Sequence, residues 1–419
     1  MNMLLKLAFR NVFRYKRRTI ITFSTISFGL GLMAIGMSLY NGVDKQSMNN
    51  IVNSQTGHLK IFAEGYFNEK DELPLEFTID NPQKIKALLQ DNKEIQGIES
   101  RILFMATIIN GLDELPCIGV AVEPENDPIV FNIKESLKEG SYLEPTDQKV
   151  LVGSSLAEDL GLKVGEEIVI RMFSSMEDFV WNAMDLEIKG IVETPNPMVN
   201  SQNIFIPLAL AQESLSLEGK ATEITIRLKE KAQLPMVQNA IQEILSPLEG
   251  NYKVFSFDEL ESDYNEVLKM KSRIQAIIPL IMLLIASLGI INTMLMAVLE
   301  RTREIGMMAA MGMRKLEVML LFIYEGAIIG FFGSLAGCIL GGIGGWYLEV
   351  KGMSLSSFGK EMLDMMETSF PIKDVFYGDL TLGILIFTLI FGTAVAILAS
   401  IYPAYKAVRV EPIKALRHV

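Results

Sequence analysis

Groups able to do covalent or metal chemistry are few in these 419 residues: two histidines, His58 and His418, and two cysteines, Cys117 and Cys338. Neither histidine stands in a nucleophile–base arrangement, and Ser154-Ser155 lacks the elbow context that would expose an attacking hydroxyl. No Gly-x-x-x-x-Gly-Lys-Ser/Thr loop is present to cradle phosphates. The carboxylates are scattered, without the Asp-x-Asp-x-Asp-Gly order of a calcium loop, and no Cys/His spacing suits zinc. The expectation is no catalytic residue, no metal site and no cofactor held by this chain. What remains is polarity in apolar company. Glu325 and Asn292 lie inside long apolar runs, where an ionisable or amide side chain marks a site by default. Glu325 has three readings: a structural pair with an arginine or helix end, a role in proton or substrate coupling, or a side chain that simply reaches the interface. Between two such runs stands a dense charged patch, Glu300-Arg-Thr-Arg-Glu304, followed by Ile305-Gly-Met-Met-Ala-Ala-Met-Gly312.

The elements that carry these residues are membrane-length. Residues 19–41 form a first span, uncharged from Thr19 to Tyr40, and 22 residues at 1.5 Å each cross ~30 Å of hydrocarbon. A signal peptide is the competing reading, but the run exceeds a typical h-region and no clean cleavage site follows. Residues 274–299, 318–348 and 380–405 give three more spans, with Pro279 placed to kink the second. Ahead of the first, residues 1–18 alternate Leu4, Leu5, Leu7, Ala8, Phe9, Val12 and Phe13 with six Lys/Arg, as a helix lying on a membrane surface does.

Residues 42–273 are of another kind. Short apolar runs broken by Gly, Pro, Asn and Asp read as strands and turns. Lys149–Gly153, Glu167–Arg171 and Leu186–Val192 predict strands of a small barrel. Ser154–Leu160 predicts a short helix, with Ser155 and Glu158 placed as a capping box. The strand Thr222–Leu228 and the amphipathic helix Leu234–Leu245 predict a flanking α+β lobe. The loop 349–379 has room for a short helix near residues 360–366.

Charge orients the chain. The amino-terminal helix, the segment 300–317 and the tail 406–419 together hold 14 Lys/Arg and four Asp/Glu, whereas 42–273 holds 39 Asp/Glu and 21 Lys/Arg. By the positive-inside rule both termini and the hinge are cytoplasmic and the acidic domain is outside. An acidic chain of this kind implies no nucleic-acid partner.

Small residues fall in patterns. Gly326, Gly330, Gly333, Gly337 and Gly341 share one helical face and admit a second backbone, either within the subunit or at an interface between subunits. Met33, Gly36 and Met37 on the first span, with Ile277, Ile278, Ile281 and Met282 on the second, are either helix packing or an adaptable apolar cleft.

The stretch Asn292, Val298, Glu300, Arg301, Arg303, Glu304, Ile305, Gly306, Met311 and Gly312 resembles the signature segment of type VII ABC transporter permease subunits. Those include the lipoprotein-releasing (Lol-type) permeases, to which the likeness is greatest, a macrolide exporter and a cell-division permease. Tyr402-Pro-Ala-Tyr-Lys-Ala407, Glu411-Pro-Ile-Lys-Ala-Leu416 and Val150-Leu-Val-Gly-Ser-Ser-Leu-Ala157 extend the resemblance over nearly the whole chain; Ala309-Ala310, where many members have Lys or Arg before the Ala, is a minor departure. It implies a polytopic α-helical membrane protein with four transmembrane helices. Between the first two would lie an α+β extracytoplasmic domain, a MacB-like periplasmic core with a small β-barrel lobe. It further implies that Glu300, Arg301, Arg303, Glu304, Ile305, Gly306, Met307, Met311 and Gly312 form a coupling helix docking on a cytoplasmic ABC ATPase dimer. With no ATPase sequence ahead of the first span, that ATPase, which binds ATP and Mg, is expected to be a separate chain and this one non-catalytic. The expected partners are a second permease subunit, identical or paralogous, a lipoprotein cargo, a periplasmic carrier or adaptor, and the lipids of a bacterial inner membrane. Two other functions stay open: efflux of peptides or amphiphiles through an outer-membrane duct, and activation of a cell-wall hydrolase without transport.

Overall fold

A computed structural model describes residues 2–111, 113–173, 181–229, 232–248, 250–260, 287–354 and 375–409, with the single positions 277, 279, 281, 284 and 285. The chain divides into two compact units, one of residues 46–266 with 355–374 and one of 1–45, 267–354 and 375–419. It opens with α1 (Asn2–Arg14), whose Ala8, Asn11 and Val12 turn inward while Leu5, Phe9 and Phe13 stay exposed. After a break at Tyr15 the helix resumes as α2 (Lys16–Ile51) and closes with one π turn, Val52–Thr56.

The second unit begins with β1 (Leu59–Phe62), β2 (Ile79–Asp80), α3 (Pro82–Leu89) and the 16-residue β3 (Ile95–Asn110). Then come β4 (Asp113–Val122), α4 (Asp127–Val130), β5 (Leu137–Gly140), β6 (Lys149–Gly153) and α5 (Ser154–Asp159). Next are β7 (Glu167–Phe173), β8 (Trp181–Val192), α6 (Pro197–Gln202), β9 (Asn203–Pro207) and α7 (Leu208–Ser214). It ends in β10 (Lys220–Ala221), β11 (Glu223–Leu228), α8 (Leu234–Leu245), β12 (Lys253–Ser256) and α9 (Phe257–Leu260).

The long strand β3 serves two layers. Its first half pairs with β11, which continues through β1 to β12, and α3 and α8 close a core of Ile61, Ile85, Ile226 and Ile241 against them. Its second half enters a circuit of pairings that returns on itself, β3–β4–β9–β6–β8–β7–β3. The alternation in Glu-Ile-Val-Ile-Arg-Met-Phe explains β7: Ile168, Ile170 and Met172 turn into the core while the residues between them are half-buried or exposed. At α6, Pro197 takes the first helical position and Asn196 accepts the Met198 N–H at 3.1 Å, the expected chemistry of a helix start. The capping box expected of Ser155 and Glu158 does not form. The helix α5 starts at Ser154, as expected, but its cap position is Gly153, without a side-chain cap, which puts Ser155 inside its first turn.

Two carboxylates of this unit sit below the usual range for opposite-signed reasons that do not cancel. Burial raises Asp147 and Glu259, but the Lys189 ammonium and the Glu144 N–H on the first, and the Ser256 N–H and hydroxyl with Gln238 on the second, outweigh it. A depressed folded value means that their stabilisation is present above the unfolded value of about 4 and is lost as pH falls through the folded one. With Trp346→Phe removing one of the two tryptophans, Trp181 fluorescence should report a lower unfolding temperature below about pH 4. In Asp147→Asn/Glu259→Gln that acid limb should flatten.

The other unit resumes with α10 (Ser287–Glu300), α11 (Thr302–Ala310) and α12 (Lys315–Lys351). A ribbon of β13 (Met353–Ser354) with β14 (Val375–Phe376) and the helix α13 (Leu382–Val408) complete it. Among the described residues, α2, α12 and α13 are long and apolar enough to cross a membrane, and α10 is a shorter apolar helix. Most of 274–286, the expected helix at 360–366 and the tail from 410, with Glu411, Lys414 and Arg417, lie outside the described residues. The helix α12 starts where Glu317 accepts the Arg314 N–H at 2.8 Å, and α13 where Thr381 caps Ile384. Gly352, at φ +67°, ends α12 in a conformation that side chains disfavour.

Candidate functional site

The residue of greatest chemical consequence is Glu325, two to three turns into α12 and fully buried. An unpaired carboxylate there would cost several kcal/mol, so its partners define the site. Arg301, at the junction of α10 and α11, brings one guanidinium nitrogen to 2.9 and 3.0 Å from the two carboxylate oxygens. Asn11 of α1 donates to the same carboxylate at 2.7 Å, and Arg18 at the start of α2 stands 3.7 Å from it. Four helical segments, from three parts of the chain distant in sequence, thus meet on one side chain.

A second layer surrounds this centre. The Arg301 Nε reaches Glu304 at 3.2 Å, and Glu304 is also met by the Tyr15 hydroxyl at 3.2 Å and by Arg14 at 3.1 Å. The Tyr15 and Phe322 rings lie 5.4 Å from the Arg301 guanidinium, close enough for cation–π attraction. Beneath, Val298, Ile305, Val318, Phe322, Ala404 and Ala407 form an apolar cluster joining α10, α11, α12 and α13. Charge and packing together fix the hinge to the membrane helices at both ends of α11.

The hinge residues divide accordingly. Arg301, Ile305 and Gly306 were expected on an outward coupling surface, but all three are buried. Arg301 faces inward because it is the counter-ion of Glu325, and Ile305 because it fills the cluster below. Glu300, Arg303, Met307 and Met311 are exposed and Glu304 is half-buried, so α11 keeps an outward face of mixed polarity. Gly312, at φ +93°, ends α11 where the Gly312 and Met313 N–H groups return to Ala309 and Met308.

The glycines of α12 are buried and apportioned between two neighbours within the chain. A Cβ on Gly333, Gly337 or Gly341 would meet Ile26, Leu30 or Ala34 of α2 at 2.9, 2.9 and 2.6 Å; on Gly326 or Gly330 it would meet Ser400 or Ala396 of α13 at 1.8 and 2.3 Å. Ser27 of α2 adds a hydrogen bond to the Gly333 carbonyl at 3.0 Å. Tight packing within one chain accounts for the stripe.

The suggested apolar cleft is not assembled by the described residues. Met33 is buried and Met37 half-buried in a cluster with Ile26, Leu30, Ile290, Met294 and Ile329, so both are used in helix packing. Gly36, Ile277 and Ile281 are exposed, Ile278 and Met282 lie outside the described residues, and Asn292 is on the exposed side of α10.

Sequence reasoning missed two buried ion networks in the residue 46–266 unit. Lys60 meets Glu223 at 2.8 Å, and Arg101 meets Glu99 at 3.1 Å and Asp127, which also accepts from Tyr142. The Arg101 guanidinium lies 3.5 Å from the Phe131 ring centre. Burial pushes the Glu99 and Asp127 carboxyls and the Tyr142 phenol upward. In sequence these charges look like any solvated strand or turn residue, and no signal separates them.

Long apolar helices, a strand-rich unit of some 220 residues between the first and the later ones, and a charged hinge locked to a buried glutamate define an integral membrane protein. Residues 19–244 match the MacB-like periplasmic core domain, and residues 276–412 match the FtsX-like permease C-terminal domain. The chain belongs to that family of ABC transporter permeases, whose members are permease subunits that pair with an ATPase. It is 21% identical to the lipoprotein-releasing system transmembrane protein LolC of Xylella fastidiosa, over 94% of this chain and 92% of the relative. To LolE of Haemophilus influenzae it is 25% identical, over 93% and 92%. To the macrolide export ATP-binding/permease protein MacB of Bdellovibrio bacteriovorus it is 23% identical over 93% of this chain, but spans only 57% of that protein.

Proposed function

We propose that this chain is the permease subunit of an ATP-driven machine that extracts lipoproteins from the outer leaflet of a bacterial inner membrane and passes them to a periplasmic carrier. Four spans place both termini in the cytoplasm, and the residue 42–273 domain, with its closed strand circuit read as a small barrel, lies in the periplasm. A separate ATPase dimer docks on α11 and drives its motion, a second permease subunit completes the assembly, and this chain itself is not catalytic. The observation that carries the reading is the Arg301–Glu325 pair. A displacement of α11 is delivered directly to the interior of α12, and through Asn11 and Arg18 to α1 and α2. Lipoprotein is preferred as cargo because relatives matched over more than nine-tenths of both chains bear that name. The exposed Leu5, Phe9 and Phe13 of α1 suit a helix seated in the lipid interface.

Proteoliposomes holding this chain, its ATPase and a lipid-anchored protein should release that protein to a soluble acceptor on addition of ATP. Absence of release overturns the cargo assignment, and ATP-driven efflux of a peptide or amphiphile instead would favour the exporter reading. The exposed face of α11 allows a sharper test. Met311 is 80% exposed at the end of that helix, an apolar side chain left open among the described residues. Met311→Glu is expected to weaken co-purification of the ATPase about tenfold, equivalent to ~1.4 kcal/mol, with membrane insertion unchanged. Unchanged co-purification would move the docking surface off α11.

A further inference from the structure

The helix α1 shows three sectors in turn around its axis, at about 100° per residue. Ala8, Asn11 and Val12 face the chain and are buried. Leu5, Phe9 and Phe13 make an exposed apolar row, with the two rings 4.9 Å apart. Lys6, Arg10 and Arg14 make a third row, exposed and wholly cationic, which Lys16 and Arg17 continue past the break at Tyr15. The first 43 residues hold six Lys/Arg and no Asp/Glu.

Counter-charge for this row is scarce in the chain. Among the described residues, Lys6, Arg10, Lys16 and Arg17 have no carboxylate at ion-pair distance. Of the five exposed cations only Arg14 reaches one, Glu304 at 3.1 Å, and its side chain stays 62% exposed. A helix that sinks Leu5, Phe9 and Phe13 among acyl chains holds the neighbouring sector at the height of the headgroups. Phosphate oxygens carried there supply the lacking charge, and a guanidinium donates to them in pairs. A zwitterionic headgroup brings its own cation with each phosphate and leaves the row unbalanced. An anionic headgroup does not.

Arg14 belongs to the row and to the hinge at once. Glu304 also accepts from the Tyr15 hydroxyl and the Arg301 Nε, so it keeps two donors when Arg14 turns away. A headgroup can therefore take Arg14 without stranding the carboxylate.

We propose that Lys6, Arg10, Arg14 and Arg17 bind the headgroups of anionic phospholipids, and that a headgroup on Arg14 competes with Glu304 and so loosens α11 from α1. The inference deepens the permease reading by giving the hinge a regulator, the charge of the leaflet on which α1 lies. It rests on that reading only for membrane insertion.

The test uses the full chain in vesicles of phosphatidylcholine alone or mixed with phosphatidylglycerol in both leaflets, so that insertion direction has no influence. Phospholipid retained by the purified chain should be enriched in phosphatidylglycerol about fivefold over the mixed vesicle. Lys6→Gln/Arg10→Gln should bring that ratio down to the vesicle's own. Arg303→Gln/Lys315→Gln removes two exposed cations that stand among Glu300, Glu304 and Glu317, and should leave the ratio unchanged. Amide hydrogens of α11 should exchange about threefold faster with phosphatidylglycerol than without, the scale of one exposed ion pair. In Arg14→Gln they should exchange at the faster rate in both lipids. Inorganic phosphate added to phosphatidylcholine vesicles should change nothing, which separates a lipid headgroup from a free anion. Equal retention of the two lipids, an equal loss in the hinge control, the same response to phosphate, or α11 exchange indifferent to lipid charge would each overturn the proposal. No ATPase or cargo is present, so failure here leaves the transport reading intact. Conversely, failed lipoprotein release would leave the lipid preference in place.

Discussion

Arg301→Ala is expected to lower the stability of the purified chain by about 3–5 kcal/mol and to abolish ATP-driven release, the larger of two effects forecast for the membrane unit. The variant leaves Glu325 buried with Asn11 as its one close donor and Arg18 3.7 Å away. Glu325→Ala is expected to be as severe for the opposite reason, since it removes the carboxylate that Arg301 and Arg18 share and leaves Arg301 with Glu304 alone beside the Phe322 ring. Detergent-solubilised protein should show either loss as a fall in melting temperature on the order of 10 °C. These two losses alone would not distinguish a transmission element from a strut. Arg301→Met/Glu325→Leu does, because replacing both partners of a buried pair by apolar groups removes the stranded charge and restores most of the stability. If the ion pair conveys hinge motion, the double variant melts near the wild type yet leaves ATP hydrolysis unconnected to release. A double variant that regains both would reduce the pair to a packing element.

How far this could be read from the sequence differs from residue to residue. That Glu325 needs a partner follows from its place in an apolar run, and an arginine is among the partners that place allows. Which arginine was not legible, since Arg301 sits in a patch of four charges that all read as surface. Only the helix phase of α10 and α11 separates inward Arg301 from outward Arg303, and the break between them, with Arg301 at φ −104° and ψ 17°, resets that phase. Local patterns fared better. The alternating Glu167–Arg171 falls within β7, and the apolar run Lys149–Gly153 and the amphipathic helix Leu234–Leu245 stand where their patterns put them. The pairing circuit through β3 was not legible, because β4, β9, β6 and β8 meet at separations such as Ile118–Asn203, Leu151–Phe205 and Lys149–Glu187, and nothing local encodes such partners. Arg101 and Glu99 were missed for a related reason. Asp127, the second carboxylate on Arg101, reaches it only once α4 has folded against β3.

Gly330→Ala is expected to be a severely damaging single-methyl change at the contact of α12 with α13, and its rescue is the more informative result. The added Cβ would lie 2.3 Å from the Cβ of Ala396, inside any tolerable approach, and both atoms belong to stiff helices with no rotamer to yield. Overpacking of this kind costs about 1–3 kcal/mol where neighbours can shift, and more where two backbones must separate. Separation is what α12 and α13 would have to do, since Gly326 sits one turn away against Ser400, with a would-be Cβ 1.8 Å from its hydroxyl. Moving α13 outward would also strip Ala404 and Ala407 from the cluster beneath the hinge, so a methyl near mid-membrane should weaken the seat of α11. Gly330→Ala should therefore lower both the melting temperature and the ATP-driven activity. Gly330→Ala/Ala396→Gly, which moves the same methyl across the contact, should return both. Recovery of stability without activity would mean that α12 transmits force through its exact position rather than through its contact with α13. No recovery would mean that the two helices are not in register as described. Either result would be read directly against the Arg301 variants, because both act on the short path by which α11 bears on the membrane helices.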